Sequence, residues 1–260
     1  MTDITIIQIL TVFIYMNIGF VAAVIKRRND LADVLWGPGF ALLAILGAIF
    51  NPTAINLFIA VMVSVWALRL MLHVGARFIK KKEEDYRYQK WRADWGKKWL
   101  IKTWIRVFML QGFLLMMVSL SFILANRLDI GAWSLVQFVG ITIFTFGFLF
   151  EVIGDWQLKE FIKKKENRGR IMQGGLWRYT RHPNYFGEVV LWWGIWLTTF
   201  STPYFLFGVI GPLTILFLIL KVSGIPLLEK KYEGRKEFEE YKKRTNAFFP
   251  WFPKNYKATD

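Results

Sequence analysis

The sequence predicts an all-α protein that crosses a membrane about seven times as one domain over 1–260, with the N-terminus outside and the C-terminus cytoplasmic. Three observations predict this. Apolar stretches near the roughly 20 residues needed to cross hydrocarbon recur along the chain. Hydrophobic residues make up 55% of the sequence, with 24 Phe and 13 Trp, above the soluble norm. The 34 Lys and Arg, set against 19 Asp and Glu, gather in alternate connections between the apolar stretches.

The expected spans are 4–25, 34–50, 53–74, 105–125, 131–153, 185–200 and 203–223. The first is too long and wrongly flanked for a cleaved signal peptide. Lys26, Arg27 and Arg28 separate the first two, and Asn51-Pro52 turns the second tightly into the third. The third-to-fourth connection carries Arg77, Lys80, Lys81, Lys82, Arg87, Lys90, Arg92, Lys97, Lys98 and Lys102. Arg127 is the single basic residue of the next connection. Basic residues from Lys159 to Arg181 precede the sixth span, and Thr202-Pro203 joins it to the seventh. This alternation places basic connections and the tail in the cytoplasm. The same topology accounts for the +15 charge without nucleic acid, and such loops attract anionic headgroups. With no Cys and only His73 and His182, disulfides, thiolate chemistry and a metal site are not expected.

The densest polar cluster is GGLWRYTRHPNYFGE, residues 174–188. Pro183 suits the first turn of a helix, and the residue before a proline favours extended backbone, so His182 ends a loop and Pro183 starts the sixth helix. The free N–H groups of that first turn, with Arg178 and Arg181, favour an anion. Asn184 and Glu188 share one helix face, Glu188 about one turn into the membrane. Intramembrane carboxyls usually face a cavity or a partner. An amide and a carboxyl on one face can read a group that both donates and accepts, such as a nicotinamide carboxamide. A structural ion pair of Glu188 with an arginine is the plainer alternative. Glu151, Asp155 and Leu158 share a face at the end of the fifth span. Arg69, His73 and Arg77 do so at the end of the third, and Phe238 and Tyr241 in the amphipathic tail 229–253. There is no GxGxxG and no P-loop, so any dinucleotide is held without a Rossmann domain.

Seven stretches resemble the steroid 5α-reductase superfamily, in particular its bacterial branch of uncharacterised membrane proteins: DVLWGPGF (33–40), WALRL (66–70), EDYRY (84–88), GDWQLKEF (154–161), GGLWRYTRHPNYFGE, SGIPLLEKKY (223–232), and YKKRT followed by FFP (241–250). The resemblance implies an NADPH-dependent reduction of a carbon–carbon double bond. It implies cofactor contacts from Asn184, Glu188 and Asp155, and from Trp177, which stands seven residues before Asn184 as in the related sterol C14 reductases. It assigns 1–125 to the substrate side and 131–260 to the cofactor half. Candidate phosphate ligands are Arg69, Arg77, Arg170, Arg178 and Arg181, since Arg meets phosphate oxygens bidentately. Leu158, Tyr179, His182, Tyr185 and Tyr241 complete the expected cofactor contacts. The RHPxY core is shared with isoprenylcysteine carboxyl and phospholipid methyltransferases, so S-adenosylmethionine-dependent methyl transfer is the alternative, and a non-catalytic lipid binder a third.

The second span lacks the Gln-Glu pair that holds the substrate carbonyl in eukaryotic steroid reductases. Asp33 or Tyr86 is the expected substitute, with Glu188 third among the catalytic candidates. The substrate class expected is a lipid-soluble enone or related isoprenoid alkene, reduced in the bacterial inner membrane rather than the endoplasmic reticulum. Membrane lipids are the other expected partners, and no nucleic acid or protein is.

Overall fold

The structure, a computed structural model, describes residues 4–125, 133–200 and 202–254. The described residues contain helices and no strand. Helices α1 (Ile4–Lys26), α2 (Leu31–Phe50) and α3 (Ala54–Lys80) come first. Then follow α4 (Tyr86–Trp95), α5 (Trp99–Thr103), a π-helical stretch over Trp104–Met109, and α6 (Leu110–Ala125). Next are the long α7 (Leu135–Lys163) and the shorter α8 (Pro183–Thr198). Short α9 (Phe205–Gly208), α10 (Ile210–Phe217), α11 (Ile225–Lys230) and α12 (Lys236–Arg244) complete the chain.

Six stretches among the described residues are long and apolar enough to cross a membrane: α1, α2, α3, Tyr86–Ala125, α7 and Phe205–Lys230. The sequence predicts one more over 185–200. There the structure has α8, whose 16 residues rise only about 24 Å, short of the roughly 30 Å of hydrocarbon. Two helices outrun their predicted ends: α3 continues to Lys80 and α7 to Lys163. Basic residues in their last turns suit the negative end of the helix dipole, so loss of hydrophobicity does not end the helix. Arg127 and the first two residues of the fifth predicted span, 131 and 132, lie outside the described residues.

The chain divides into two compact units. One is the chain through Trp133 together with Thr199–Gly211, and the other is Ser134–Thr198 with the chain from Pro212 onward. In the first unit α1 buries a narrow stripe of Gln8, Val12, Met16, Gly19 and Ala23. It exposes Ile14, Ile18 and Ile25, the last by 77%. That distribution suits hydrocarbon as solvent. The α2–α3 pair closes over Gly37, where a Cβ would stand 2.9 Å from the Ala67 carbonyl oxygen, and Phe40 meets the fully buried Trp66.

In the second unit α7 and α8 pack through glycines at seven-residue spacing, Gly140 facing Gly194, Gly147 facing Gly187, and Gly154 meeting Pro183 and Asn184 at the start of α8. A Cβ on Gly147 would lie 2.5 Å from the Leu191 nitrogen, and one on Gly187 2.5 Å from the Glu151 nitrogen. Without side chains at these points the two backbones touch, as in other small-residue seams between membrane helices. The seven-residue spacing keeps the seam on one face along both helices.

The charge pattern carries a topological expectation. Single cysteines replacing Lys81 and Lys164 should resist an impermeant thiol reagent on intact cells, and one replacing the exposed Pro52 should react. Labelling in the reverse pattern would invert the assignment.

Candidate functional site

The polar cluster of the second unit is built on the α7–α8 seam. Helix α8 begins at Pro183, as its sequence predicts, and the His182 carbonyl accepts the Phe186 N–H at 3.0 Å. Asn184 therefore sits in the first turn. Its Nδ2 donates to Asp155 Oδ1 at 3.0 Å across the seam. A carboxylate only accepts, so this bond fixes which end of the amide faces α7. The other end, Oδ1, is buried and receives no donor from the described residues. An orphaned buried acceptor costs about 1–3 kcal/mol, so an N–H group brought by a ligand would be stabilised there. Half-buried Glu188 follows one turn on, on the same face.

The loop before α8 is fastened on both sides. Gly175 adopts φ 59°, which brings the Leu176 N–H to Gln157 Oε1 of α7 at 2.9 Å. The Trp177 indole donates to the Gly154 carbonyl at 3.0 Å. From the other side the C-terminal tail straps it. Arg181 N–H donates to the Asn246 carbonyl and Trp251 N–H to the Tyr179 carbonyl, each at 2.9 Å. The Thr180 hydroxyl donates to the Phe248 carbonyl at 2.8 Å, and the Tyr241 hydroxyl to the Trp177 carbonyl. Tyr241 is buried on α12 beside Phe238, the face its spacing predicts, and burial pushes its phenol well above the ordinary range.

Glu229 of α11 gathers the rest. Arg181 Nε donates to its Oε1 at 2.9 Å, His182 Nε2 lies 3.0 Å from the same oxygen, and Arg181 also donates to the Thr245 carbonyl. Burial, opposed by the bond to Glu229, holds His182 below the ordinary histidine pKa. The imidazole is thus neutral near pH 7 and donates from Nε2. Because folding favours the neutral form, His182 adds no pH penalty above about 6.5. Stability then falls as pH drops through that value, where the unfolded chain gains a proton the folded one resists. The acid-side loss of melting temperature should shrink in His182→Gln; an unchanged loss would show that another group causes it.

The structure thus uses Trp177, Arg181, His182 and Tyr241 as struts, each already engaged through its side chain. Tyr185 stacks on His182 at 5.6 Å, and Tyr179 packs edge-on to Phe252. Leu158 is half-buried on α7, while Arg170 and Arg178 are exposed with no acceptor among the described residues. Sequence reasoning missed Glu229 and Gln157. Their only signals are a carboxyl after the SGIPLL stretch and an amide two residues after Asp155.

The first unit has its own cluster. Asp33, in the first turn of α2, accepts from the Tyr88 hydroxyl at 2.7 Å and pairs with Arg87 at 2.9 Å. Tyr86 is 59% exposed, so Tyr88 and not Tyr86 reaches Asp33. Arg87 also grips Asp85, and although burial pushes that carboxyl up, the Arg87 hydrogen bonds prevail and hold it below the usual range. Arg28 forks onto Asp30 at 3.0 and 2.7 Å, and Arg92 pairs with buried Glu84 at 2.8 Å. Arg69 and His73 are half-buried along α3, with Arg77 exposed one turn on.

A family model described as "Protein of unknown function (DUF1295)" matches residues 19–245. Among curated proteins, the 3-oxo-5-alpha-steroid 4-dehydrogenase 2 of Mus musculus is 32% identical over 113 residues, 44% of this chain and 41% of that protein. The protein of the same name from Homo sapiens is 30% identical with the same coverage, and that of Rattus norvegicus 30% over 112 residues, 43% and 41%. The chain spans about 41% of the length of these relatives. No solved structure gives a significant match.

Proposed function

Because the chain belongs to the DUF1295 family, within the steroid 5α-reductase superfamily, we propose that it is an NADPH-dependent membrane reductase of a lipid-soluble enone. The observation that carries the reading is the buried Oδ1 of Asn184, which has no donor among the described residues and is held in place by Asp155. An amide so fixed offers an acceptor to the carboxamide N–H of a nicotinamide, and Glu188 on the same face offers a second. The residues present therefore fit the group. NADPH, when bound, would supply a hydride for the β-carbon of the enone, and a proton would complete the reduction at the α-carbon.

The chain's own part is to bind and orient. The Asn184–Asp155 pair fixes the nicotinamide end, and positioning of this kind carries much of a rate enhancement. Arg170 and Arg178, exposed and without acceptors among the described residues, are the phosphate ligands of this unit; Arg181 is engaged by Glu229. Asp33 and Tyr86 are the candidates for donating to the substrate carbonyl, where enolate charge develops. Asp33 must be protonated to do so, since as a carboxylate it already accepts from Arg87 and Tyr88. The setting is a membrane, the bacterial inner membrane on this reading.

Methyl transfer from S-adenosylmethionine gains no support from the steroid dehydrogenase relatives. Mass spectrometry of small molecules retained by the purified protein separates the two readings. NADP(H) is the expected species, and retained S-adenosylmethionine would overturn the proposal.

A further inference from the structure

An apolar groove of about 480 Å³ runs between the end of α1 and the α5–π-helical segment. Its walls are Phe20, Val24 and Ile25 on one side and Leu100, Ile101 and Trp104 on the other. It opens onto the outer face of α1 from Phe13 to Ile25, apolar except at Asn17 and about 18 Å long. The Trp104 indole donates to Asn17 Oδ1 at 3.0 Å, which satisfies both polar groups and keeps the wall dry. At the other end Arg92 donates to the Arg27 carbonyl at 3.3 Å and stacks over Trp99 at 4.7 Å, so the two walls are pinned together.

The rim at that pinned end is basic. Lys26 ends α1 and Arg27 follows it, and Lys97, Lys98 and Lys102 lead into and along α5. All but half-buried Lys102 are exposed, and none has an acidic partner among the described residues. The neighbouring acids Asp30, Asp33, Glu84 and Asp85 are engaged by Arg28, Arg87 and Arg92, which leaves exposed Glu83 and Asp94 as the carboxyls of this stretch without a cation among the described residues. Arg27 has φ 53°, a left-handed conformation that favours glycine and costs an ordinary residue about 1–2 kcal/mol. A side chain is thus held where the backbone alone favours none.

We propose that this groove binds one anionic phospholipid, its acyl chains along α1 and its phosphate among Lys26, Arg27, Lys98 and Lys102. A second copy of the chain would set this cationic rim against itself, and a zwitterionic lipid would leave it uncompensated. Each basic residue at a membrane surface contributes about 1 kcal/mol toward an anionic headgroup. The proposal is independent of the reductase reading.

The test uses the full chain in neutral detergent, with phosphatidylglycerol retention read by native mass spectrometry and by the rise in melting temperature. Phosphatidylcholine with the same acyl chains should be held more weakly, and glycerol phosphate, a headgroup without chains, should produce no shift. Arg27→Gly should weaken phosphatidylglycerol roughly fivefold, and Lys98→Ala with Lys102→Ala roughly thirtyfold. Val21→Trp, at an exposed position in the groove, should reduce retention without touching the rim. Arg27→Gly also relieves the backbone, so the lipid-free protein should melt no lower than the unmodified chain and the loss is not one of folding. Equal retention of phosphatidylcholine, an equal shift with glycerol phosphate, or unchanged retention in the rim or groove variants would each overturn the proposal.

Discussion

Gly187→Ala is expected to destabilise the protein, although alanine is the better helix former by about 1 kcal/mol. The added methyl would enter at 2.5 Å from the Glu151 nitrogen and 2.6 Å from the Gly147 carbonyl oxygen. Both are backbone atoms inside a helix and cannot swing aside as a side chain end can. The helices must separate, and overpacking of this kind typically costs about 1–3 kcal/mol, the upper end applying where backbone itself is met. Gly187→Val should cost more. Gly75→Ala is the internal comparison: its methyl meets only Val34 Cγ1 at 3.9 Å, an ordinary contact. It should leave the melting temperature unchanged or raise it. Equal effects of the two alanine substitutions would mean that α7 and α8 do not touch through their glycines.

The seam also sets how much of the molecule could be read from its sequence. The apolar runs located the membrane stretches because hydrocarbon imposes a length that composition records directly. Pro183 located the start of α8 because its fixed φ and missing N–H suit one place in a helix. The spacing of Phe238 and Tyr241 marked the buried face of α12. Hydropathy could not mark the true ends of α3 and α7, since charged last turns continue a helix.

The seven-residue glycine spacing was legible in principle, yet glycine carries no side chain to signal a packed face, and its role appears only once a second backbone lies against it. The partners across the chain were less legible still. Arg87 and Tyr88 reach Asp33, and Glu229 reaches Arg181 and His182, through contacts that separation along the sequence hides. Basic residues read as topology signals turned out, at Arg28, Arg87 and Arg92, to hold buried or half-buried carboxyls as well.

Asn184→Leu should weaken NADPH more than tenfold. Leucine is close in size but removes both the donor to Asp155 and the free acceptor. Loss of one hydrogen bond costs about 0.5–1.5 kcal/mol, and roughly 1.5–3 where a charged group takes part, while about 1.4 kcal/mol is a factor of ten. Glu188→Gln keeps the shape and one acceptor, so it should lose less affinity and more turnover. The measurement that bears most directly on the proposed cofactor site is the melting temperature of the unmodified protein and of Asn184→Leu, each with and without NADPH. The account predicts a clear rise for the unmodified chain and the loss of most of that rise in the variant. A variant that melts lower when empty, yet gains as much from NADPH as the unmodified protein, would contradict it and leave Asn184 a strut of the α7–α8 seam.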